Sequence, residues 1–455
     1  MKVSILDISK EDYSFSKSDY SGKILPNNVS LIPLSKLMAS DPQKGVEFGS
    51  KSYVDKRFYN SIPFIKISDI WDGLYCFNCS RDTELAIPSK TSKFLNKGDF
   101  VIQTASKNLG KISVYGGETK VAYNSHLRIV RFTKYSYYLL AFFNSKLGLN
   151  QFIQRGSIQG VDNFSKKTFD KILVPIPDTS SVDRISLLAQ RIVEIERRML
   201  EIRKDINKIF DSFVDLSGEE LLSNYRETTV TTIKELKNKP WNFREHSFDF
   251  KNVVSAIKKK SIEEEEYLPL EKIRGGNTPK QRFLGDSKDY PTHWVTPTDF
   301  DDFGYIKQSQ TIASPKLKTI TKPTLLIVNR TSRGQGEYVG IAGFLDGETP
   351  AHNNQGVYCY DDSTKDHLVY LTALINSDIY RFLFQSIGKG SKMREIRATD
   401  IAQLPMLKIK PELENKIISL MTNKDCNGYL DLSKEHQKLV EEIDNYFSTE
   451  IFEEG

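Results

Sequence analysis

The sequence predicts an α+β protein: two homologous mixed α/β domains separated by long, coiled-coil-like helices. Two observations carry most of that expectation. Six strings recur in the same order about half a chain apart, and a heptad run free of glycine and proline stands between the copies. A third sets the scale. At 455 residues, with 39% hydrophobic and 27% charged, the chain is too long for one ordinary domain and has apolar material for two cores.

The repeat comes first because it organises everything else. IPLSKL at Ile32 returns as LPLEKI at Leu268, and IPFIKISDIWDGLY at Ile62 as THWVTPTDFDDFGY at Thr292. GDFVIQTASKNLG at Gly98 returns as PTLLIVNRTSRGQG at Pro323, and AYNS at Ala122 as AHNN at Ala351. YLLAFFNS at Tyr138 matches YLTALINS at Tyr370, and FDKILVPIP at Phe169 matches TDIAQLPML at Thr399. Separations run only from 225 (323 − 98) to 236 (268 − 32). Ordinary β-rich texture recurs without shared order or spacing.

Each copy has one grammar. A PLxKL-type string sits on a short helix or turn. A β-rich stretch follows, then an amphipathic helix, Tyr137 to Phe152 in the first copy and Leu368 to Phe384 in the second. A polar, glycine-bearing loop leads to a short strand ending in proline, Val174-Pro175-Ile176-Pro177 or Leu404-Pro405. The expected boundaries are a first domain at 1–178 with an N-terminal arm, a spacer helix at 179–225, a linker at 226–265, a second domain at 266–408 and a C-terminal helical region at 409–455. FREHSF at Phe243 echoes FSKSDY at Phe15, so the repeat is expected to begin ahead of its globular part.

In the spacer, apolar residues fall at Ile185, Leu188, Ile192, Ile195, Met199, Ile202, Ile206, Ile209 and Phe213, in steps alternating between 3 and 4. That is a coiled-coil seam on a helix about 45 Å long. The C-terminal counterpart starts at Leu413, Ile417 and Leu420, breaks at NKDCNG, and resumes at Leu432, His436, Leu439, Ile443 and Tyr446. His436 reads as a packing residue. The run Lys258 to Lys260 followed by Glu263 to Glu266 reads as a solvated segment.

A formal charge of +5 permits nucleic-acid binding without arguing for it. The start has no secretory pattern, and no stretch nears the about 18 apolar residues of a membrane span. Four cysteines fit a reducing compartment, so a cytoplasmic protein is expected. Cys76 and Cys79 form a lone CxxC with no partner pair, which reads as two thiols near a strand and not a zinc site. No nucleotide-binding, GxSxG, HExxH or adenine-methylation tetrad is present, and the six histidines lack metal spacing. No catalytic residue, metal or cofactor of its own is expected, although spacing alone leaves a nuclease open.

The polar residues that remain collect in equivalent places. Thr104, Ser106, Lys107, Asn108 and Lys111 lie in a loop between two β strings, as do Asn329, Arg330, Ser332, Arg333 and Gln335. After the amphipathic helix come Arg155, Gln159, Lys166 and Lys167 in one copy, and Lys389, Lys392 and Arg394 in the other. Asn124, Asn353 and Asn354 belong to the AYNS and AHNN strings. Arg and Lys with Asn, Gln, Ser and Thr are the types that read base edges, and glycine lets a backbone approach phosphate. The same amides serve equally as turn caps.

In this order the strings resemble the specificity (S) subunits of Type I restriction-modification systems. The resemblance rests on the duplicated PLxKL opening, IPFIKISDI, LNKGDFVIQTASKNLGKI, AYNS, YLLAFFNS, the VPIP close and the heptad helix after it, and it covers nearly the whole chain. PDTSSVDRI stands where the family often has a PLxEQ-like string. The resemblance implies two target-recognition domains related by a pseudo-two-fold axis, each reading half of a split site on double-stranded DNA, with the helices setting the gap. It implies a prokaryotic, cytoplasmic, non-catalytic subunit. Its partners would be methyltransferase subunits that use S-adenosylmethionine on adenine, and a restriction or translocase subunit. Two other readings stand beside it: a protein-binding scaffold, and the DNA-reading subunit of a related phage-defence system with another effector.

Overall fold

The computed structural model describes residues 29–47, 61–70, 75–79, 93–104, 109–150, 169–214, 248–262, 266–278, 292–301, 303–307, 319–330, 339–390, 394–422 and 428–451, with short strands and single residues between them. It is a mixed α+β chain that divides into two compact units, Met1–Leu200 with Glu435–Gly455, and Glu201–Lys434. The expected C-terminal region therefore does not stand by itself. Its last part packs with the first unit and the rest with the second. FREHSF and FSKSDY lie outside the described residues, apart from Phe248.

In the first unit, β1 (Ser30–Pro33) and α1 (Leu34–Leu37) are followed by β2 (Gln43–Lys44), β3 (Tyr53–Val54), β4 (Ile62–Ile65), β5 (Cys76–Phe77), β6 (Leu85–Ala86) and β7 (Phe94–Leu95). Then come β8 (Phe100–Gln103), β9 (Ile112–Tyr115), β10 (Val121–Tyr123), β11 (Leu127–Val130), α2 (Ser136–Asn144) and β12 (Leu173–Ile176). One sheet runs β2-β11-β8-β9-β5 and another β3-β6-β4-β10-β7, while β12 pairs with β1. Strand alternation assigns the faces. Ile102, Ile112 and Val114 join the cluster around α2, whereas Val101 and Tyr115 join a second cluster with Ile65, Tyr123 and Leu127. The central sheet is thus covered on both sides.

The second unit repeats the plan with β13 (Arg274–Gly275), β14 (Leu284–Gly285), β15 (Thr292–Val295), β16 (Thr311–Ile312), β17 (Thr324–Val328), β18 (Ala342–Leu345), β19 (Ala351–Asn353) and β20 (Val357–Tyr360). Its sheets run β13-β20-β17-β18 and β14-β16-β15-β19. These are the first unit's orders without β5 and β7. The parallel pairs share a register: Phe64 opposes Ala122 and Trp294 opposes His352, each residue displaced by 230 (294 − 64, 352 − 122).

Polar anchors repeat as well. Asn144 Nδ2 donates to the Ile112 carbonyl at 2.7 Å, and Asn376 Nδ2 to the Ala342 carbonyl at 2.8 Å. The Tyr138 hydroxyl donates to the Pro175 carbonyl and that of Tyr370 to the Leu407 carbonyl. Asp69 and Asp299 each accept the backbone N–H three residues back, at 2.6 Å. Gly110 and Gly340 take φ of 89° and 84° at the same hairpin corner, where a side chain would be strained.

Each predicted amphipathic helix is in fact interrupted. In the second unit it forms α5 (Lys365–Asn376) and α6 (Asp378–Ile387), with Ser377 extended between them and its side chain accepting from Tyr380 N–H. α2 ends likewise at an extended Ser145. A serine that caps the next helix competes with continuing the first.

The spacer forms α3 (Thr179–Val214), about 54 Å long. Its buried stripe differs from the expected seam. Ile185, Ile192, Ile195, Ile202 and Ile206 are buried, but Leu188, Met199, Ile209 and Phe213 are only half-buried. Val182, Ala189, Val193, Glu196 and Phe210 are buried instead. The physical reason is that the helix packs against the body of each unit over a wide face and follows a 3.6 period, so a 3.5-residue seam drifts out of it. Within the first unit, Ile185, Ala189 and Ile192 share a cluster with Ile443, Tyr446 and Phe447 at the end of the chain. Arg191 pairs with Glu435 at 2.7 Å and Arg184 with Glu450, so the two segments run in opposite directions.

The expected linker contains α4 (Phe248–Lys260), which buries Val253 and Ile257. Lys258, Lys259 and Lys260 are exposed as expected, Glu263 to Glu265 lie outside the described residues, and Glu266 is half-buried and paired. His367 Nε2 lies 2.9 Å from Glu266 Oε1, and its Nδ1 lies 3.0 Å from Glu414 Oε1 in α7 (Pro411–Thr422). Gly428, the last residue of NKDCNG, is non-helical, and the rest of that string lies outside the described residues. α8 starts at Tyr429 and ends at Asn445. Asp301 ties that helix to the β15 region, accepting from Phe303, Gly304 and Tyr305 N–H through one oxygen and from the Tyr429 hydroxyl through the other.

Two outcomes are expected. Ile192→Asp places a charge in the first unit's core and should cost at least about 3 kcal/mol, whereas Leu187→Asp, at a side of the same helix that is 63% exposed, should stay within about 0.5 kcal/mol by thermal unfolding. The second concerns pH. Burial alone would lower the His367 pKa, but hydrogen bonds to Glu266 and Glu414 outweigh it and the net shift is upward. Its contribution is then full below the unfolded histidine value of about 6.5 and is lost as pH rises through the raised folded value. His367→Gln should narrow its stability gap from the wild type as pH rises from about 6 to about 9. A gap independent of pH would show that the ring is not the charged member.

Candidate nucleic-acid interface

The corner between β8 and β9 and the turn between β10 and β11 meet at one end of the first unit's central sheet. Thr104 N–H donates to the His126 carbonyl at 2.9 Å, and its hydroxyl donates to the same oxygen at 2.8 Å. Asn124 Oδ1 closes the turn by accepting His126 N–H at 2.8 Å. The second unit builds the same corner with different side chains. Asn329 N–H donates to the Gly356 carbonyl, Asn329 Nδ2 to the Gln355 carbonyl at 3.2 Å, and Asn354 Oδ1 accepts Gly356 N–H at 2.7 Å. Asn353 Nδ2 donates to the Val357 carbonyl at 2.8 Å.

Thr104, Asn329 and Asn353 are buried, so these side chains and the Asn124 and Asn354 amides hold the corner in the way turn caps do. Lys111 is half-buried beside this corner. Ser106, Lys107, Asn108, Arg155, Gln159, Lys166, Lys167, Ser332, Arg333, Gln335 and Lys392 lie outside the described residues.

The second unit adds a third segment to the corner. Ile396 N–H donates to the Asn329 carbonyl at 2.8 Å, and Lys389 and Glu395 exchange both backbone hydrogen bonds at 2.9 and 2.8 Å. Residue 329, residues 354 to 356, and residues 389 and 395 to 396 are thereby brought to one place. Arg330 pairs with Glu395 at 3.1 Å, and Lys389 donates to both oxygens of Asp400 at 3.0 and 2.9 Å. Arg394 donates to Gln385, and Arg397 is exposed. Four cations therefore face two carboxylates, a local basic excess that the weak net charge of the chain conceals.

Among the solved chains that match this one, three match over 94% of its length. They are the HsdS subunit from Thermoanaerobacter tengcongensis (12% identity, 94% of that chain, TM-score 0.27), a chain of a type I R-M system studied for complex assembly and conformational transition (13%, 97%, 0.28), and a Type-I restriction-modification system S subunit from M. genitalium (12%, 98%, 0.37). No protein-family model matches, and no curated protein does. Likeness at this level leaves function to be read from the chain's own residues.

Sequence reasoning missed Glu395 and Asp400, because single acids among cations form no pattern. Gln103, which opens the polar loop in the sequence, instead ends β8 opposite Leu127; its side chain is buried, and neither its amide nitrogen nor its oxygen has a hydrogen-bond partner among the described residues. The equivalent strand position holds Val328, since Gln103 N–H bonds the Lys111 carbonyl as Val328 N–H bonds that of Ile341.

The CxxC thiols sit elsewhere. Burial pushes Cys76 up to about 12 and Cys79 up to about 11, and no group of metal-ligating side chains occurs among the described residues. Among those residues no helix is long and apolar enough to cross a membrane.

A buried amide with no partner loses its hydration without recompense. Gln103→Leu should therefore stabilise the first unit by about 1 kcal/mol in thermal or denaturant unfolding. A destabilisation of that size would mean the amide is satisfied in solution.

Proposed function

We propose that this chain is the sequence-reading, non-catalytic subunit of a DNA-modifying complex. Each copy reads one half of a split site on double-stranded DNA. Partner methyltransferase subunits, supplied with S-adenosylmethionine, act on the site selected, and a restriction or translocase subunit is a further partner in the prokaryotic cytoplasm. The observation that carries the reading is the corner of the second unit, where Arg330, Lys389, Arg394 and Arg397 come from segments about sixty residues apart onto one sheet end. The first unit repeats the backbone bond between strand end and turn, Thr104 N–H to the His126 carbonyl.

The physical case is one of division of labour. Amides buried in the corner fix the backbone, and of the cations around it Arg397 is exposed and Arg330 partly so, where phosphate attraction gives affinity and guanidinium-to-base contacts give selectivity. Duplicating such a corner doubles the length of sequence read. The resemblance of the strings to S subunits supplies the partner class. That reading needs no reactive group on this chain.

A genome-wide map of modified bases in the host, with and without the gene, tests the proposal. Loss of methylation at a split, asymmetric motif is the expected result, and Arg330→Ala should then relax one half of the motif and spare the other. Methylation unchanged by deletion would exclude the methyltransferase partnership and leave an effector of another kind. A uniform loss of binding on all sequences would make Arg330 a phosphate contact.

A further inference from the structure

We propose that Glu395 is a built-in competitor for the DNA-facing edge of Arg330: it holds the guanidinium in the unbound protein and must be displaced when a duplex docks. This inference rests on the DNA-reading proposal for the second unit. Its basis is the way Glu395 is held. Glu395 exchanges both backbone hydrogen bonds with Lys389 and forms a further bridge with Arg330, so its backbone is fixed between the two cations. The carboxylate meets Arg330 through one contact, Oε2 to Nη2 at 3.1 Å.

Arg330 is half-used by that contact. Its Nε is buried and has no hydrogen-bond partner among the described residues, so the paired donors a duplex could meet are those of the Nη end, on a side chain that is 37% exposed. A guanidinium presents paired donors along an edge and is best satisfied by two acceptors in one plane. A single carboxylate oxygen does not provide that. Duplex DNA provides it twice over, as phosphate oxygens and as the O6 and N7 of guanine. Glu395, 48% exposed, is in contact with solvent and can leave without opening the core. Its departure costs little, because an exposed pair is weak.

Displacing Glu395 costs the same whichever acceptor takes its place, so the competitor lowers binding through Arg330 by at most the strength of the ion pair. The first unit cannot use the same device at the same place, since the position equivalent to Arg330 is Ala105.

The test compares the full-length chain, purified with the partners that co-isolate with it, against Glu395→Gln and Glu395→Ala. The probe is a pool of fluorescent random-sequence duplexes, read across a salt series. Both variants keep the backbone bonds and should bind about two- to fivefold tighter than the wild type. Their salt dependence should steepen by up to about 0.9 in log–log slope, because a freed Arg330 carries a counterion that DNA releases. In an Arg330→Gln background, Glu395→Gln should change nothing.

A gain on all duplexes alike makes the acceptor phosphate, and a gain confined to duplexes sharing one base makes it a base edge. Either supports the proposal. Unchanged or weaker binding by both variants, with the wild type still binding, would overturn it, and weaker binding would make Glu395 itself a DNA contact. If neither wild type nor variants bind any duplex, the DNA-reading proposal falls and this inference falls with it.

Discussion

A helix that is apolar on every side has to be enclosed, and that constraint organises each unit. In α2, the consecutive residues Tyr138, Leu139, Leu140, Ala141, Phe142 and Phe143 are all buried, and α5 buries an unbroken run from Leu368 to Asn376. Such a helix needs a sheet on one side and further helices on the others. Each fully buried Leu or Phe contributes about 1.5–3 kcal/mol, but apolar contact has no direction. Direction comes from the few polar atoms left inside. Asn144 and Asn376 hook the helix to a strand carbonyl, and the Tyr138 and Tyr370 hydroxyls hook it to the closing strand. With both faces of the first unit's central sheet covered, its ends are where the loops that could bind a partner come together.

Much of this was legible in the sequence, and the reason is burial. The repeat was read correctly where it lies in sheet strands. A one-residue slip there would turn every buried side chain to the wrong face, so the strings stay aligned. The start of α8 was legible because a helix seldom continues through the glycine that ends NKDCNG. The seam was legible only in part. Leu188 and Phe210 are apolar residues on neighbouring faces of one helix, and the partner decides which is covered.

The candidate site was the least legible part. Thr104, Asn124, Asn329, Asn353 and Asn354 are of the types that read bases, and the same types cap turns. Nothing local to the sequence distinguishes the two uses. The distinction lies in whether the backbone groups nearby already have partners, which is a property of the folded corner. Arg330 stands out only once Glu395, more than sixty residues away, is seen beside it.

The order in which the first unit is assembled follows from its composition. Its core includes Ile443, Tyr446 and Phe447, with the Tyr446 and Phe447 rings packed together and the Phe447 ring set against those of Tyr138 and Phe142. The ribosome makes those residues only after the whole second unit, in a segment that starts 235 positions beyond Leu200 (435 − 200). At ordinary elongation rates that is a delay of roughly ten to fifty seconds. During it the aromatic face of α2 lacks its final cover and is open to wrong partners. Synthesis therefore runs against the usual sequence of events, in which an N-terminal domain is finished before the next begins. Here the last turn of helix closes the first domain, and a chain truncated near its end would leave its beginning unfinished.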